Sequence, residues 1–85
     1  MKYRLRVSNA FERELRRLKQ VDRERTWGII QQIQEAPYSH KALIRKFRGT
    51  ISARLGNLRI IYTVNEREKR VILLHVGYRE RVYER

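Results

Sequence analysis

The hydrophobic pattern changes its period partway along the chain, and this change limits the folds that the sequence can adopt. Residues 3–7 alternate apolar and basic side chains, as in a strand with one buried face. Apolar residues then recur at helical spacing as far as residue 35, and after the loop at residues 38–42 the pattern alternates again. The sequence therefore predicts an α+β domain in the order strand, helices, strands.

Two adjacent helices are predicted between the first strand and the later ones. Ser8 is a suitable N-cap residue for the first helix. The second is predicted over residues 22–35, and Pro37 closes it because proline cannot continue a helix. The side chains expected to face inward are Phe11, Leu15 and Leu18 from the first helix and Trp27, Ile30 and Ile33 from the second.

The second half of the chain predicts a meander of strands. Residues 52–55 and 58–64 are joined by Gly56-Asn57, a two-residue link that suits the positive φ angles of a tight hairpin. A further turn leads to a third strand at residues 70–76. The expected fold is α+β, with an N-terminal strand, a two-helix hairpin and an antiparallel three-stranded meander that forms one sheet with the helices on one face. The 85 residues contain no repeat or linker, so one domain over residues 1–85 is expected.

The parity of the strand residues predicts two different faces of the sheet, because alternate residues point to opposite sides. One set is apolar and is expected to pack against the helices: Ala53, Leu55, Ile60, Tyr62, Val64, Ile72, Leu74 and Val76. The other set contains Ser52, Arg54, Arg59 and His75. We therefore expect an open, cationic face that suits RNA.

The charge balance of the chain is strongly basic. There are 21 Lys and Arg residues against 9 Asp and Glu residues, which gives a formal net charge of +12. Such a charge attracts polyanions, so a nucleic acid or an acidic protein is the expected partner. A thermophile-type charged surface is the alternative, although such surfaces usually raise acidic and basic residues together.

Composition also excludes several kinds of site. The absence of cysteine from the sequence excludes disulfides, thiol catalysis and zinc sites with sulfur ligands. No apolar run approaches the length that spans a bilayer, so a cytoplasmic protein without membrane contact is expected. The carboxylates of Asp22, Glu24 and Glu35 lie on the predicted second helix, away from the basic face, so no metal or other cofactor is expected.

Several motifs of the chain resemble the RelE/ParE toxin superfamily, and in particular its RelE-like toxins that cleave messenger RNA. They are Lys46-Phe47-Arg48-Gly49, Ala53-Arg54-Leu55-Gly56-Asn57-Leu58-Arg59-Ile60-Ile61-Tyr62, and Val76-Gly77-Tyr78-Arg79 with Tyr83. The resemblance spans essentially the whole chain. It implies a type II toxin–antitoxin toxin that cleaves messenger RNA in the ribosomal A site without a metal ion, inhibits translation, and is held inactive by an acidic antitoxin.

The resemblance also implies roles for individual residues. Arg59 matches the phosphate-binding arginine of the third strand, and Arg79 matches the arginine that supports the leaving group. Arg54 falls where the family has a basic residue before the hairpin, and Tyr83 falls near the catalytic tyrosine of the tail. Ser52 stands where the best-known member has a second basic residue, so the chain departs from the family there.

The chemistry that these residues suit is attack by the RNA's own 2′-hydroxyl. It needs a group that takes the hydroxyl proton, positive charge at the phosphorane and help for the departing 5′ oxygen. Arg59 and Arg79 suit the charge stabilisation, because preorganised charge is usually the largest catalytic term.

The general base is left open by the sequence. A phenol with a pKa near 10 is only about one part in a thousand ionised at neutral pH, although the guanidiniums of Arg54, Arg79 and Arg81 would favour the phenolate of Tyr83. The competing bases are Glu80, Glu84 and His75. Tyr83 can also be a tail aromatic that only stacks on a base or packs on the sheet.

Further residues are candidates for RNA contact. Lys46 and Arg48 lie at the entrance to the meander, where phosphate contact is expected. Tyr78 can stack on a base or cap the core, and His75 can act as an acid or base or be structural. The complete RNA-binding set is Lys46, Arg48, Ser52, Tyr78, Arg81 and His75.

Two other functions stay open. A ParE-like toxin would poison gyrase and cut no RNA, although the tail keeps the arginine and the tyrosine that RNA cleavage would use. A catalytically weak RNA-binding homologue is the other possibility, and it is suggested by Ser52 at a position where a basic residue is expected.

Overall fold

The computed structural model describes residues 2–38 and 49–78, and its elements follow the predicted order. They are β1 (Arg4–Val7), α1 (Asn9–Arg16), α2 (Gln20–Glu35), β2 (Ile51–Leu55), β3 (Leu58–Asn65) and β4 (Arg70–Tyr78). The turn between β2 and β3 falls at Gly56-Asn57 as predicted, and Gly56 has the expected positive φ, +59°, whereas Asn57 does not. The predicted α+β fold is confirmed.

The four strands form one sheet in the order β1, β4, β3, β2. β2, β3 and β4 pair antiparallel, which confirms the predicted meander. β1 pairs parallel with β4, so the sheet is mixed and the first strand lies beside the last. The alternation in residues 3–7 predicted a strand but not its neighbour, because alternation reports which face is buried and carries no information on the pairing partner.

The helices cover one face of this sheet. The helices contribute Phe11, Ile29, Ile30 and Ile33 to the core, and the strands contribute Ala53, Leu58, Ile60, Tyr62, Val71, Leu73 and Val76. Leu18 is buried as predicted, but it lies in the turn between α1 and α2 and not in the first helix. Ser8 starts α1 as predicted, because its Oγ accepts a hydrogen bond from the backbone N of Phe11 at 3.0 Å. Among residues 2–38 and 49–78, no helix is both long and apolar enough to cross a membrane.

The inner face of α2 differs from the prediction at Trp27. The buried residues of α2 are Asp22, Thr26, Ile29, Ile30 and Ile33, and Trp27 is 45% exposed. The predicted stripe was wrong there because it passed over Thr26, a polar residue. Thr26 is fully buried at no hydrogen-bonding cost, since its Oγ1 donates to the backbone O of Asp22 at 2.8 Å.

A β-bulge in β4 changes which residues face the helices. Ile61 pairs with His75, whereas the next residue, Tyr62, pairs with Leu73. Leu74 is therefore the extra residue on β4, and the alternation of side chains shifts by one at this point.

This shift corrects part of the predicted core. Ile72 and Leu74 were predicted to face the helices, but both are only partly buried, and Val71 and Leu73 are fully buried in their place. Val76 lies beyond the bulge and is buried as predicted. The error has a physical cause: residues 71–74 are all apolar, so their pattern does not reveal the face on which each one lies.

The end of the sheet formed by the β3–β4 turn is held by a surface cluster around Glu66. Its carboxylate accepts hydrogen bonds from Lys69 Nζ at 2.9 Å and from the Tyr3 hydroxyl at 2.8 Å. Together with a hydrogen bond from Tyr38, these donors lower the pKa of Glu66 to about 2. The cluster ties residues next to β1 and α2 to the β3–β4 turn.

Candidate functional site

Arg59 and Ser52 lie together on the sheet face opposite the helices. Arg59 is 3% exposed and Ser52 is 5% exposed, and Arg59 Nη1 donates to Ser52 Oγ at 3.2 Å. Parity predicted their shared face correctly, but the pair is buried where an open surface was expected. A buried guanidinium is held in a narrow range of orientations, so Arg59 is a preorganised positive charge.

Arg54 lies beside Arg59 at the hairpin end of this face. The two residues are register partners across β2 and β3, and the side chains of such partners leave the same face about 5 Å apart. Arg54 is exposed, in contrast to Arg59. Two cations at adjacent positions, one fixed and one accessible, form a local positive potential that attracts a phosphoryl group.

His75 shares the face of Arg59 but lies at the outer edge of β4. Its ring is turned towards Glu14 of α1, and Nδ1 lies 3.3 Å from both carboxylate oxygens. Glu14 Oε1 also accepts a hydrogen bond from the backbone N of Val76 at 3.1 Å. Glu14 therefore occupies the edge of β4 beyond the end of β1. This contact was not predictable from the sequence, because the residues are more than 60 positions apart.

Tyr78 lies on the helix side of the sheet, opposite to Arg59. Its register partner is Leu58, and its hydroxyl donates to Asp22 Oδ2 at 2.7 Å. This hydrogen bond to a carboxylate raises the pKa of Tyr78, with burial as a second cause, so the hydroxyl stays protonated at neutral pH. The position agrees with the core-capping alternative for Tyr78.

Three further arginines, which sequence reasoning missed, lie on the sheet face opposite the helices. Arg4 pairs with Arg70, and Arg6 pairs with Ile72, which places these side chains on the same face as Arg54. Arg4 and Arg6 are exposed, and Arg70 lies 3.7 Å from Glu68 of the turn. None of the four strands contains Asp or Glu, so the strand residues of this face carry only positive charge. The basic residues of β1 were visible in the sequence, but their place beside β4 was not.

Several predicted site residues lie outside the described residues. They are Lys46, Arg48, Arg79, Arg81 and Tyr83, together with the alternative bases Glu80 and Glu84. Their roles stay predictions. Within residues 2–38 and 49–78, no three side chains of the metal-binding types lie close enough together to hold a metal ion.

The chain is similar in sequence to toxins of bacterial toxin–antitoxin systems. A family model described as the ParE toxin of the type II toxin–antitoxin system parDE matches residues 5–83. Toxin RelG of Mycobacterium tuberculosis is 38% identical over 45 residues, which are 53% of this chain and 52% of that protein. The match to this curated relative thus spans about half of the length of each protein.

Solved structures of such toxins share the fold. The RelBE2 toxin–antitoxin complex of M. tuberculosis contains a chain that superposes with a TM-score of 0.82 and 26% identity, over 93% of this chain and 100% of that one. A chain of the intact Escherichia coli RelBE complex gives a TM-score of 0.80 at 22% identity, over 89% and 95% of the two chains. The structural likeness establishes the fold, and the family model covers nearly all of the sequence. This chain therefore belongs to the RelE/ParE superfamily of type II toxin–antitoxin toxins.

Proposed function

We propose that this toxin is a ribosome-dependent, metal-independent endoribonuclease that cleaves messenger RNA in the A site and so inhibits translation. The observation that carries the proposal is the pairing of Arg54 with Arg59 on a sheet face whose strands contain no carboxylate. Arg59 is buried and hydrogen-bonded to Ser52, so its charge is fixed before substrate arrives. This arrangement suits the stabilisation of a phosphorane without a metal ion.

The proposed reaction is attack of the 2′-hydroxyl on the adjacent phosphate. The exposed guanidinium of Arg54 contacts the phosphoryl oxygens, and the buried charge of Arg59 beside it stabilises the charge that develops on them. Arg79 supports the departing 5′ oxygen. Tyr83 takes the proton of the 2′-hydroxyl, and Glu80, Glu84 and His75 are the alternative bases. His75 is the weakest of these alternatives, because its ring is already engaged with Glu14 at the edge of β4.

A mapped cleavage experiment tests the proposal. The purified toxin is added to a translating extract, and the 5′ ends of the messenger are mapped by primer extension. Cuts within the codon that occupies the A site are expected. Intact messenger in the presence of folded toxin would contradict the proposal.

RNA contact is proposed to extend beyond the cleavage residues, on the sheet face opposite the helices. Arg4 and Arg6 lie on β1, at the side of the sheet away from Arg54, and both are exposed. Lys46, Arg48 and Arg81 are the candidates from outside the described residues. Because Arg4 and Arg6 place exposed positive charge at a second position on this face, we propose that it contacts further phosphates of the same RNA strand.

Replacing both Arg4 and Arg6 with glutamine is expected to weaken RNA binding and its dependence on salt. Each phosphate contact on a single strand contributes about 0.7 to the slope of log K against log salt, so the double variant should lower that slope by about 1.4. The affinity for a single-stranded RNA oligonucleotide is measured by fluorescence anisotropy at several salt concentrations.

A matched control for this variant is the replacement of Arg13 and Arg16 with glutamine. Both arginines are exposed on α1, so their replacement removes the same charge from a different surface. Equal slopes for the two double variants would show that only net charge matters and would contradict RNA contact at Arg4 and Arg6.

A second candidate function is gyrase poisoning, and the match to a family model described as a ParE toxin favours it. Such a toxin would stabilise gyrase-dependent DNA breaks and would leave messenger RNA intact. A supercoiling reaction with purified gyrase, analysed for linear DNA, separates the two functions. Breaks in this reaction without cleavage in the translating extract would replace the first proposal with the second. A catalytically weak RNA-binding homologue predicts neither product.

The proposed partner is a cognate antitoxin with an acidic or amphipathic segment. Chains of RelBE toxin–antitoxin complexes are among the structural neighbours of this chain, which supports an antitoxin partner. The net charge of +12 supports the acidic chemistry of that partner. Co-purification with an acidic protein encoded beside the toxin tests this proposal.

A further inference from the structure

A buried carboxylate at the start of α2 joins three segments of the fold. Asp22 is 6% exposed and accepts two hydrogen bonds. The Tyr78 hydroxyl donates to Oδ2 at 2.7 Å, and Arg25 Nη1 donates to Oδ1 at 3.0 Å. A buried carboxylate is costly unless such donors satisfy it, so the bond from Tyr78 to Asp22 restricts both side chains. Arg25 completes the cluster from its exposed side.

The third segment in this arrangement is the turn between β2 and β3. Arg25 Nη2 lies 2.9 Å from the position that a Cβ on Gly56 would occupy, so the guanidinium lies directly against the turn. The same guanidinium is bonded to Asp22. Arg25 thus connects the helix to the turn, and Tyr78 connects the helix to the end of β4.

Both connected segments hold residues proposed for phosphate chemistry. Arg54 and Arg59 flank the β2–β3 turn and are register partners of each other. Arg59 also pairs with Gly77, which precedes Tyr78. In the sequence, Arg79 follows Tyr78 directly. A shift of Tyr78 would therefore move the backbone partner of Arg59.

The cluster itself does not lie on the face that carries Arg54 and Arg59. Tyr78 is the register partner of Leu58 and lies on the helix side, whereas Arg59 lies on the opposite side. A role of the Tyr78 hydroxyl in the reaction would therefore be indirect. It would act through the position of the backbone and would not act through contact with RNA.

We propose that Asp22, Tyr78 and Arg25 are positioning residues that hold the β2–β3 turn and the end of β4 in the geometry required for phosphate chemistry. This inference rests on the proposed nuclease function. It differs from a stacking role for Tyr78, because the hydroxyl and its hydrogen bond carry the effect and the ring does not.

The test compares Tyr78→Phe with Tyr3→Phe. Each variant keeps an aromatic ring and removes one hydroxyl that donates to a carboxylate, at 2.7 Å for Tyr78 and at 2.8 Å for Tyr3. The Tyr3 bond reaches Glu66 at the other end of β3, about 23 Å along the strand from Arg59. Tyr3→Phe is therefore a matched control for the loss of a hydrogen bond far from the site.

We expect Tyr78→Phe to lower kcat for ribosomal messenger cleavage by about 10- to 100-fold and to leave KM within about twofold, because small displacements of oriented groups affect the chemical step. Tyr3→Phe should leave both constants within about twofold. Equal effects of the two variants on kcat would overturn the inference. A raised KM with unchanged kcat for Tyr78→Phe would also overturn it, in favour of a substrate contact.

A second measurement does not depend on activity. Amide hydrogen exchange of Arg59 and Gly77 should accelerate at least about tenfold in Tyr78→Phe and should not change in Tyr3→Phe, because only the first hydroxyl holds the end of β4. Unchanged exchange in both variants would overturn the inference. If the unsubstituted toxin cleaves no messenger, the proposed function fails, and the exchange rates still decide whether the cluster holds this end of the sheet.

Discussion

Replacing Arg59 with methionine is expected to lower the rate of messenger cleavage on the ribosome by about 10²- to 10³-fold. Methionine keeps an unbranched stem of similar length and removes the charge. The loss of one preorganised cationic donor at a developing oxyanion typically costs about 3 to 4 kcal/mol of transition-state stabilisation. Arg59 is buried against Ser52, so its charge is oriented before the substrate binds. Single-turnover cleavage of a ribosome-bound messenger measures the effect.

The control for this variant has to separate lost chemistry from lost folding. Thermal unfolding of Arg59→Met shows whether the fold survives, and Arg59→Lys keeps a charge at the same position without the planar fork. Arg59→Lys should recover part of the rate, because an ammonium supplies charge without paired hydrogen bonds. A cleavage rate within threefold of the unsubstituted toxin in Arg59→Met would remove Arg59 from the proposed mechanism.

Local signals in the sequence predicted the order of the elements and some of their ends, although α2 begins two residues before the predicted start and β4 ends two residues after the predicted end. Ser8 and Pro37 marked helix boundaries, and Gly56-Asn57 set a tight hairpin with a fixed register. That register explains why the shared face of Ser52 and Arg59 was predicted correctly, since a two-residue turn leaves no freedom to slip.

Contacts between distant parts of the chain were not predictable in the same way. The parallel pairing of β1 with β4, the cap that Glu14 places on Val76, and the bond from Tyr78 to Asp22 each join residues more than 50 positions apart. Periodicity describes the burial of single elements and carries no information on such partners. The burial of Arg59 was not predictable either, because parity indicates the face of a side chain and not its exposure.

The β-bulge in β4 was hidden for a different reason. Residues 71–74 are Val-Ile-Leu-Leu, and a run of four apolar residues fits either face of the sheet equally well. The prediction therefore assumed that the side chains alternate without interruption back from Val76 to the start of the strand. The extra residue, Leu74, reversed the result for every position between the bulge and the β3–β4 turn.

Alanine at Leu73 is expected to destabilise the fold by about 2 to 5 kcal/mol, which is the usual cost of a cavity at a buried leucine. Leu73 is fully buried in the core. A domain of 85 residues has a free energy of unfolding of about 4 to 13 kcal/mol, so the loss is a large part of the total. In a domain of this size each 1 kcal/mol lowers Tm by about 4 to 8 °C. Urea unfolding followed by circular dichroism measures the change.

The neighbouring substitution, Leu74→Ala, removes the same atoms from the residue that the bulge displaces. Leu74 is only partly buried, so we expect its replacement to cost about 1 kcal/mol or less. Simple alternation along β4 predicts the reverse order, with Leu74 buried and Leu73 on the open face. The pair of variants therefore tests the register directly: a larger loss for Leu74→Ala than for Leu73→Ala would contradict the bulge. The bulge also sets the register in which His75 pairs with Ile61 and Gly77 pairs with Arg59. The same measurement therefore tests the geometry of the proposed site.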